Sequence, residues 1–196
     1  MPYLYLIRHP KTEPDPGIPA SKWRLSREGF AQVRRLVTAP FWNGVTAVYT
    51  SRETKAAAVG AAIQVNHNIP FIMLEDLREA RRDEWVGLEA FRAAQQAFFA
   101  RPGEPPIPTW ESAGAAQVRF AGAMQDILAR HPESDSLAVV AHATVLTLYI
   151  ARLRGEVPGY GWWSRIGFAE VMAVDRATQQ PVTSFLAAPY EGLPLP

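Results

Sequence analysis

The chain predicts an α/β fold: a three-layer α/β/α sandwich around a mainly parallel, mixed central sheet. Three observations predict it. Short apolar runs of strand length alternate with longer helical patterns along the 196 residues, the order that builds a parallel sheet with helices on both faces. The runs at Tyr3–Ile7 and Leu137–Ala141 are apolar throughout, as buried strands are. Three runs end on chemically capable residues, namely Arg8-His9, Thr50-Ser51 and His142. Open α/β sheets bind ligands at that carboxyl edge.

The elements follow in order. Tyr3–Ile7 is the first strand, and the loop Pro14-Asp15-Pro16-Gly17 comes after it. Ser26 reads as the N-cap of a helix that turns Phe30, Val33 and Leu36 to one face. Val45–Tyr49 is a β-branched and aromatic strand, followed by an alanine-rich helix over about 53–64 whose small side chains permit close packing on the sheet. Phe71–Leu74 is a third strand. Leu88, Phe91, Phe98 and Phe99 mark one helix, and Ala116, Phe120, Met124, Ile127 and Leu128 another, with the proline-rich loop at 102–108 between them. Val145–Leu153 is apolar nearly all round, as a buried helix is, and Gly155 stops it. Phe168–Val174 and Val182–Leu186 read as late strands, and Trp162-Trp163 as packing on the sheet.

Composition bounds the function. An apolar share of 48% and a charged share of 20% describe one globular domain over 1–196 with a real core. A net charge of +1 argues against nucleic acid or an acidic membrane as partner. The absence of cysteine removes disulfides, thiolate metal sites and a cysteine nucleophile, and suits a cytoplasmic setting. The opening apolar run is too short for a signal peptide, and Leu137–Ala151 is too short for a membrane span. Oligomeric state stays open, with a homodimer as one option.

The strand ends carry the chemistry. If the three strands are neighbours, two imidazoles, a guanidinium and a hydroxyl converge in a cationic pocket framed by helix N-termini, which suits phosphate. A neutral imidazole can attack phosphorus and hold the phosphoryl group covalently. Fixed donors then stabilise the charge on the transferring oxygens, and a planar guanidinium beside the nucleophile is fitted to grip two of them. The leaving alkoxide needs a proton from a nearby carboxylic acid.

Leu6-Ile7-Arg8-His9-Pro10-Lys11-Thr12 is similar to the opening motif of the histidine phosphatase superfamily, also called phosphoglycerate mutase-like. Tyr49-Thr50-Ser51-Arg52-Glu53-Thr54-Lys55-Ala56 resembles its second block, where a serine precedes a basic residue on the next helix. Leu77-Arg78-Glu79, with Trp85 and Gly87 downstream, resembles the block supplying the proton donor, and Val139-Val140-Ala141-His142-Ala143-Thr144 the block with the second histidine. The resemblance implies His9 as nucleophile, Arg8, Lys55 and His142 as the phosphate pocket, and Glu79 as general acid and then base, with Glu84 or Asp83 in reserve. It implies Ser51, Thr12 and Thr144 as hydrogen-bond donors, no metal or organic cofactor, and a helical lid at about 88–130. The activity it implies is hydrolysis of a small-molecule phosphomonoester. A phosphoglycerate-type mutase and a weakly active or non-catalytic phospho-ligand binder are the alternatives.

Three positions depart from the family pattern: Pro10 and Ala143 stand where glycine is usual, and Lys55 stands where arginine is usual. Pro10 removes a backbone N–H. Lys55 offers a point charge in place of a fork, with Arg52 one helical turn earlier as a compensating cation. Among the remaining residues, His67 and His131 read as exposed loop and helix-end histidines, and the Arg78, Arg81, Arg82 cluster as a solvated face.

Overall fold

The computed structural model describes residues 1–196. Strands β1 (Tyr3–Arg8), β2 (Val45–Ser51), β3 (Phe71–Leu74), β4 (Ser136–Ala141) and β5 (Val171–Asp175) form one sheet in the order β3-β2-β4-β1-β5. All pairings are parallel except β1 with β5. The register matters most for function. Arg8 lies opposite Ala141 and Thr50 opposite Val140, so β1, β4 and β2 end side by side. The next residues out, His9, His142 and Ser51, therefore share one sheet edge.

Helices α1 (Arg27–Val37) and α2 (Thr54–His67) cover one face, and α3 (Leu88–Ala100), α4 (Ala113–Ala129) and α5 (Ala143–Arg154) the other. The pleat sorts each strand between the two cores. Tyr5, Ile7, Val48 and Val140 pack with Leu36, Val59 and Ile63, whereas Leu4, Leu6, Tyr49 and Val139 pack with Phe98, Phe120 and Leu146. A short helix α6 (Tyr160–Trp163) follows α5. No helix is long and apolar enough to cross a membrane.

Several local expectations change. Ser26 does cap α1, accepting from the Gly29 amide at 3.1 Å, but Phe30 is 56% exposed and the inward stripe is Gly29, Val33 and Leu36. Gly29 sits where an added Cβ would lie 2.0 Å from the Lys11 carbonyl oxygen, so this close approach to the first loop fixes the helix rotation. Leu88 is likewise exposed, at the start of α3. Val182–Leu186 is no regular strand: the Thr183 hydroxyl accepts the Ala173 amide at 3.0 Å, and the segment keeps a single isolated bridge to β5, Leu186 with Val171. The last strand starts at Val171, and Phe168 is free for another role. Trp163 packs against Phe91 of α3, and Trp162 lies beside Arg154 of α5 and lines a cleft with Met172 of β5, so helices share the contact with the sheet. His67 and His131 are half-buried. His67 Nε2 is 2.6 Å from the Val37 carbonyl, and His131 lies between Tyr49 Oη at 2.9 Å and Asp135 at 3.3 Å.

Candidate active site

The site begins with two adjacent imidazoles. His9 and His142 have ring centroids 5.0 Å apart and are 7% and 0% exposed. The His9 amide donates to the Ala141 carbonyl at 2.9 Å, extending the β1–β4 pairing past the last strand residue. Its Nδ1 lies 2.8 Å from the Pro10 carbonyl, which only accepts, so Nδ1 carries the proton and Nε2 keeps the lone pair. The contact that residue 10 makes with His9 is through its carbonyl. Proline retains it.

Burial, reinforced by the charges of His142, Lys55 and Arg8, holds the His9 pKa well below the usual histidine range. His142 is held down in the same direction by burial and then by Lys55, Arg82 and Arg8. Both rings are neutral at neutral pH. His142 Nε2 lies 2.7 Å from Ser51 Oγ and 3.5 Å from Glu53 Oε1, and its Nδ1 is buried without a partner.

Arg8 is fixed from two sides. Its guanidinium donates to the Ile166 carbonyl and lies 3.9 Å from the centre of the Phe168 ring, a cation–π arrangement. Phe168 also lies 5.6 Å from the His9 ring. Arg8 Nε is buried without a partner. Burial brings the Arg8 pKa down to about 10, against the opposing pull of Glu79 and Glu170, so the charge persists at neutral pH.

Lys55 enters from the first turn of α2 and is 5% exposed. Its ammonium bonds to the Glu53 carboxylate and to the Ala20 carbonyl at 2.7 Å. Burial lowers its pKa, with Glu53 opposing. For Glu53, burial pushes upward, yet Lys55 outweighs it and holds the carboxyl below its ordinary range. Arg52 is exposed and makes no hydrogen bond or ion pair, so it does not substitute for Lys55 at the strand ends.

Glu79 is placed by backbone contacts. Its carboxylate accepts from the amides of Ala80 at 2.8 Å, Thr144 at 3.2 Å and Val145 at 3.3 Å. It therefore caps α5, whose own N-cap residue His142 gives no side-chain cap. The Glu79 amide donates to Glu53 Oε1 at 2.8 Å. Arg119 of α4 holds the loop behind it, donating to the carbonyls of Asp76 at 2.7 Å, Arg78 at 3.1 Å and Glu79 at 3.3 Å, and gripping Glu111 through both oxygens.

The structure thus brings Arg8, His9, Ser51, Lys55, Glu79, His142 and Thr144 to one sheet edge. Thr144 lies under the helical layer, its hydroxyl 3.4 Å from the buried Gln95 amide of α3. Thr12 is buried in the first loop, bridged to Leu25. Of the reserve acids, Asp83 pairs with Arg81 at 3.5 Å, and Glu84 accepts from Thr109 at 2.8 Å on the surface. A cavity of about 380 Å³ opens on the outer side of Glu53 and Glu79, walled by residues 19–22, Arg52, Glu75 and the 78–83 loop. Sequence reasoning missed Glu53, Gln95, Phe168 and Arg119. Glu53 alone carried a readable signal, as an acid two positions before the basic residue at a helix start. No group of three His, Asp or Glu side chains is placed to hold a metal ion.

Comparison with known proteins places this geometry. A search of curated proteins finds no match. Among solved structures, a phosphoserine phosphatase mutant of Entamoeba histolytica in complex with phosphoserine superposes with a TM-score of 0.76 at 20% identity, over 98% of this chain and 100% of that one. The native mycobacterial glucosyl-3-phosphoglycerate phosphatase gives 0.73 at 18% identity, over 95% and 97%. YhfR of Bacillus stearothermophilus gives 0.72 at 23% identity, over 96% of each chain. These are likenesses of fold. The family model for the histidine phosphatase superfamily (branch 1) matches residues 4–188, and with nearly the whole chain matched, this protein belongs to that superfamily.

Proposed function

We propose that the protein is a phosphatase that hydrolyses a small-molecule phosphomonoester through a phosphohistidine on His9. The observation that carries the reading is the state of that ring: neutral, its Nδ1 proton fixed on the Pro10 carbonyl so that Nε2 keeps the lone pair, with the His142 ring 5.0 Å away and Arg8 near enough to act on its charge. In the first step Nε2 attacks phosphorus, the phosphorus–oxygen bond to the leaving group breaks, and Glu79 gives that oxygen a proton. In the second step Glu79 takes a proton from water as the water oxygen displaces the imidazole, releasing inorganic phosphate. Arg8 and His142 hold the transferring oxygens, a role supported by the unpartnered buried Nε of one and Nδ1 of the other. Ser51 orients His142, the buried hydroxyls of Thr144 and Thr12 are the remaining candidate donors, and Lys55, paired with Glu53, places its ammonium near His9.

The solved relatives include phosphatases bound to phosphoserine and to 3-phosphoglyceric acid, which supports a small phosphorylated substrate. The test is hydrolysis of p-nitrophenyl phosphate by wild type and His9→Ala. Activity in the wild type and none above background in the variant supports the reading; equal rates overturn it. A second reading, phosphate binding without turnover, is favoured by the pairing of Lys55 with Glu53. It predicts phosphate binding with no phosphoenzyme.

A further inference from the structure

Arg82 is a cation without an acid. It forms no ion pair and no side-chain hydrogen bond, although the neighbouring Arg81 pairs with Asp83 and Arg78 with Asp76 and Glu111. It is half-buried. Its guanidinium carbon lies 5.0 Å from the Phe91 ring centre and 5.9 Å from that of Trp110, so two aromatic side chains hold the arm in place. It lines the cavity together with Glu53 and Glu79. Its charge reaches inward as well, depressing the pKa values of Arg8, Lys55 and His142.

The charge balance at the strand ends gives that arm a task. Lys55 is the cation expected on the phosphoryl group, but its ammonium is bound to Glu53, and the pair is nearly neutral as a unit. A dianionic phosphoryl group entering there meets Arg8 and two neutral imidazoles, with the Glu53 carboxylate close by. Resting on the phosphatase reading above, we propose that Arg82 swings onto the phosphoryl oxygens and is the second full cation of the phosphate site, in the place that the Glu53–Lys55 pairing leaves. Arginine suits this task because its planar fork grips two oxygens at once.

The test measures the phosphoryl group separately from the rest of the substrate. Orthovanadate and inorganic phosphate are titrated calorimetrically into wild type, Arg82→Gln and Arg82→Lys, and hydrolysis is followed with p-nitrophenyl phosphate and with phosphoserine. The proposal expects Arg82→Gln to weaken both anions and to lower kcat/KM on both esters by a similar factor, roughly 10- to 100-fold, the range of a charge-assisted hydrogen bond. Arg82→Lys should recover part of the loss. If Arg82→Gln binds vanadate as wild type does and loses only phosphoserine turnover, Arg82 reads a second acidic group and the proposal falls. It also falls if neither measurement changes. Arg82→Met, which keeps the stem on the aromatic rings, replaces the Gln variant should the latter lose its thermal transition. A wild type that binds neither anion and hydrolyses neither ester overturns the phosphatase reading together with this one. An active wild type beside an unaffected variant overturns this one alone.

Discussion

Burial of His9 and His142 leaves a signature in pH as well as in reactivity. In the unfolded chain each ring binds a proton as the pH falls past the ordinary value of 6.5, whereas in the folded site each resists it. The unfolded state therefore takes up more protons in that window, so the stability from these groups is full above it and is lost on acidification. Each histidine adds a slope of up to about 1.4 kcal/mol per pH unit. Urea unfolding midpoints between pH 7.5 and 5.5 should fall steadily, and a flat profile would show that the rings titrate normally. Pro10 makes a second residue-scale case. Read from sequence, it is a lost donor, and the structure adds that the position gives its carbonyl to His9 Nδ1. Pro10→Gly keeps that carbonyl and should leave kcat within about threefold of wild type. A much larger change in steady-state turnover would mean that the ring itself matters. Lys55 was legible as a cation at the site, but its partner was not, since a two-residue spacing says nothing about which way Glu53 turns.

Among the elements, helix α2 and the loop at 76–81 carry the site. The small residues of α2 announced close packing, and Gly60 is where it is closest. An added Cβ there would lie 2.5 Å from Phe71 Cδ2 and 2.8 Å from Thr50 Cγ2. Gly60→Ala should therefore destabilise by about 1–3 kcal/mol despite alanine's better helix propensity, because the helix must lift from β2 and β3. Chemical denaturation measures it, and a stabilised variant would refute the close packing. The loop depends on Arg119, which is paired with Glu111, each side chain being 11% exposed. Arg119→Met leaves Glu111 only Arg78 and the Arg81 amide and frees three carbonyls, costing about 1–3 kcal/mol and lowering kcat as Glu79 loses its support. Unchanged unfolding and unchanged turnover together would contradict this. Nothing in the sequence pointed to Arg119, since a single arginine on an alanine-rich helix reads as solvated until its distant carbonyls are known. The late edge shows the opposite error: Val182–Leu186 has strand composition, but the Thr183 hydroxyl takes a ladder amide.

For the molecule as a whole, the alternation of elements was enough to expect one layered sheet, and the polar strand ends made a shared site conditional on β1, β2 and β4 being neighbours, which they are. The order β3-β2-β4-β1-β5 was not readable, because apolar strands buried on both faces carry no mark of their neighbours. That order brings His9, Ser51 and His142 to one edge, so the site is a property of topology as much as of motif. A ligand held there ties the two helical layers together. Phosphate or vanadate at 100 times its dissociation constant should stabilise the fold by about 2.7 kcal/mol, read as a rise in thermal midpoint that His9→Ala and Arg8→Ala reduce. No rise at saturating anion would mean that the edge does not bind phosphate. The most direct test of the central claim is to quench the protein with base during turnover of a phosphomonoester and map the phosphorylated peptide by mass spectrometry. The account predicts an acid-labile, base-stable phosphate on His9, absent in His9→Ala. Turnover with an unmodified His9, or phosphate on any other residue, would contradict it.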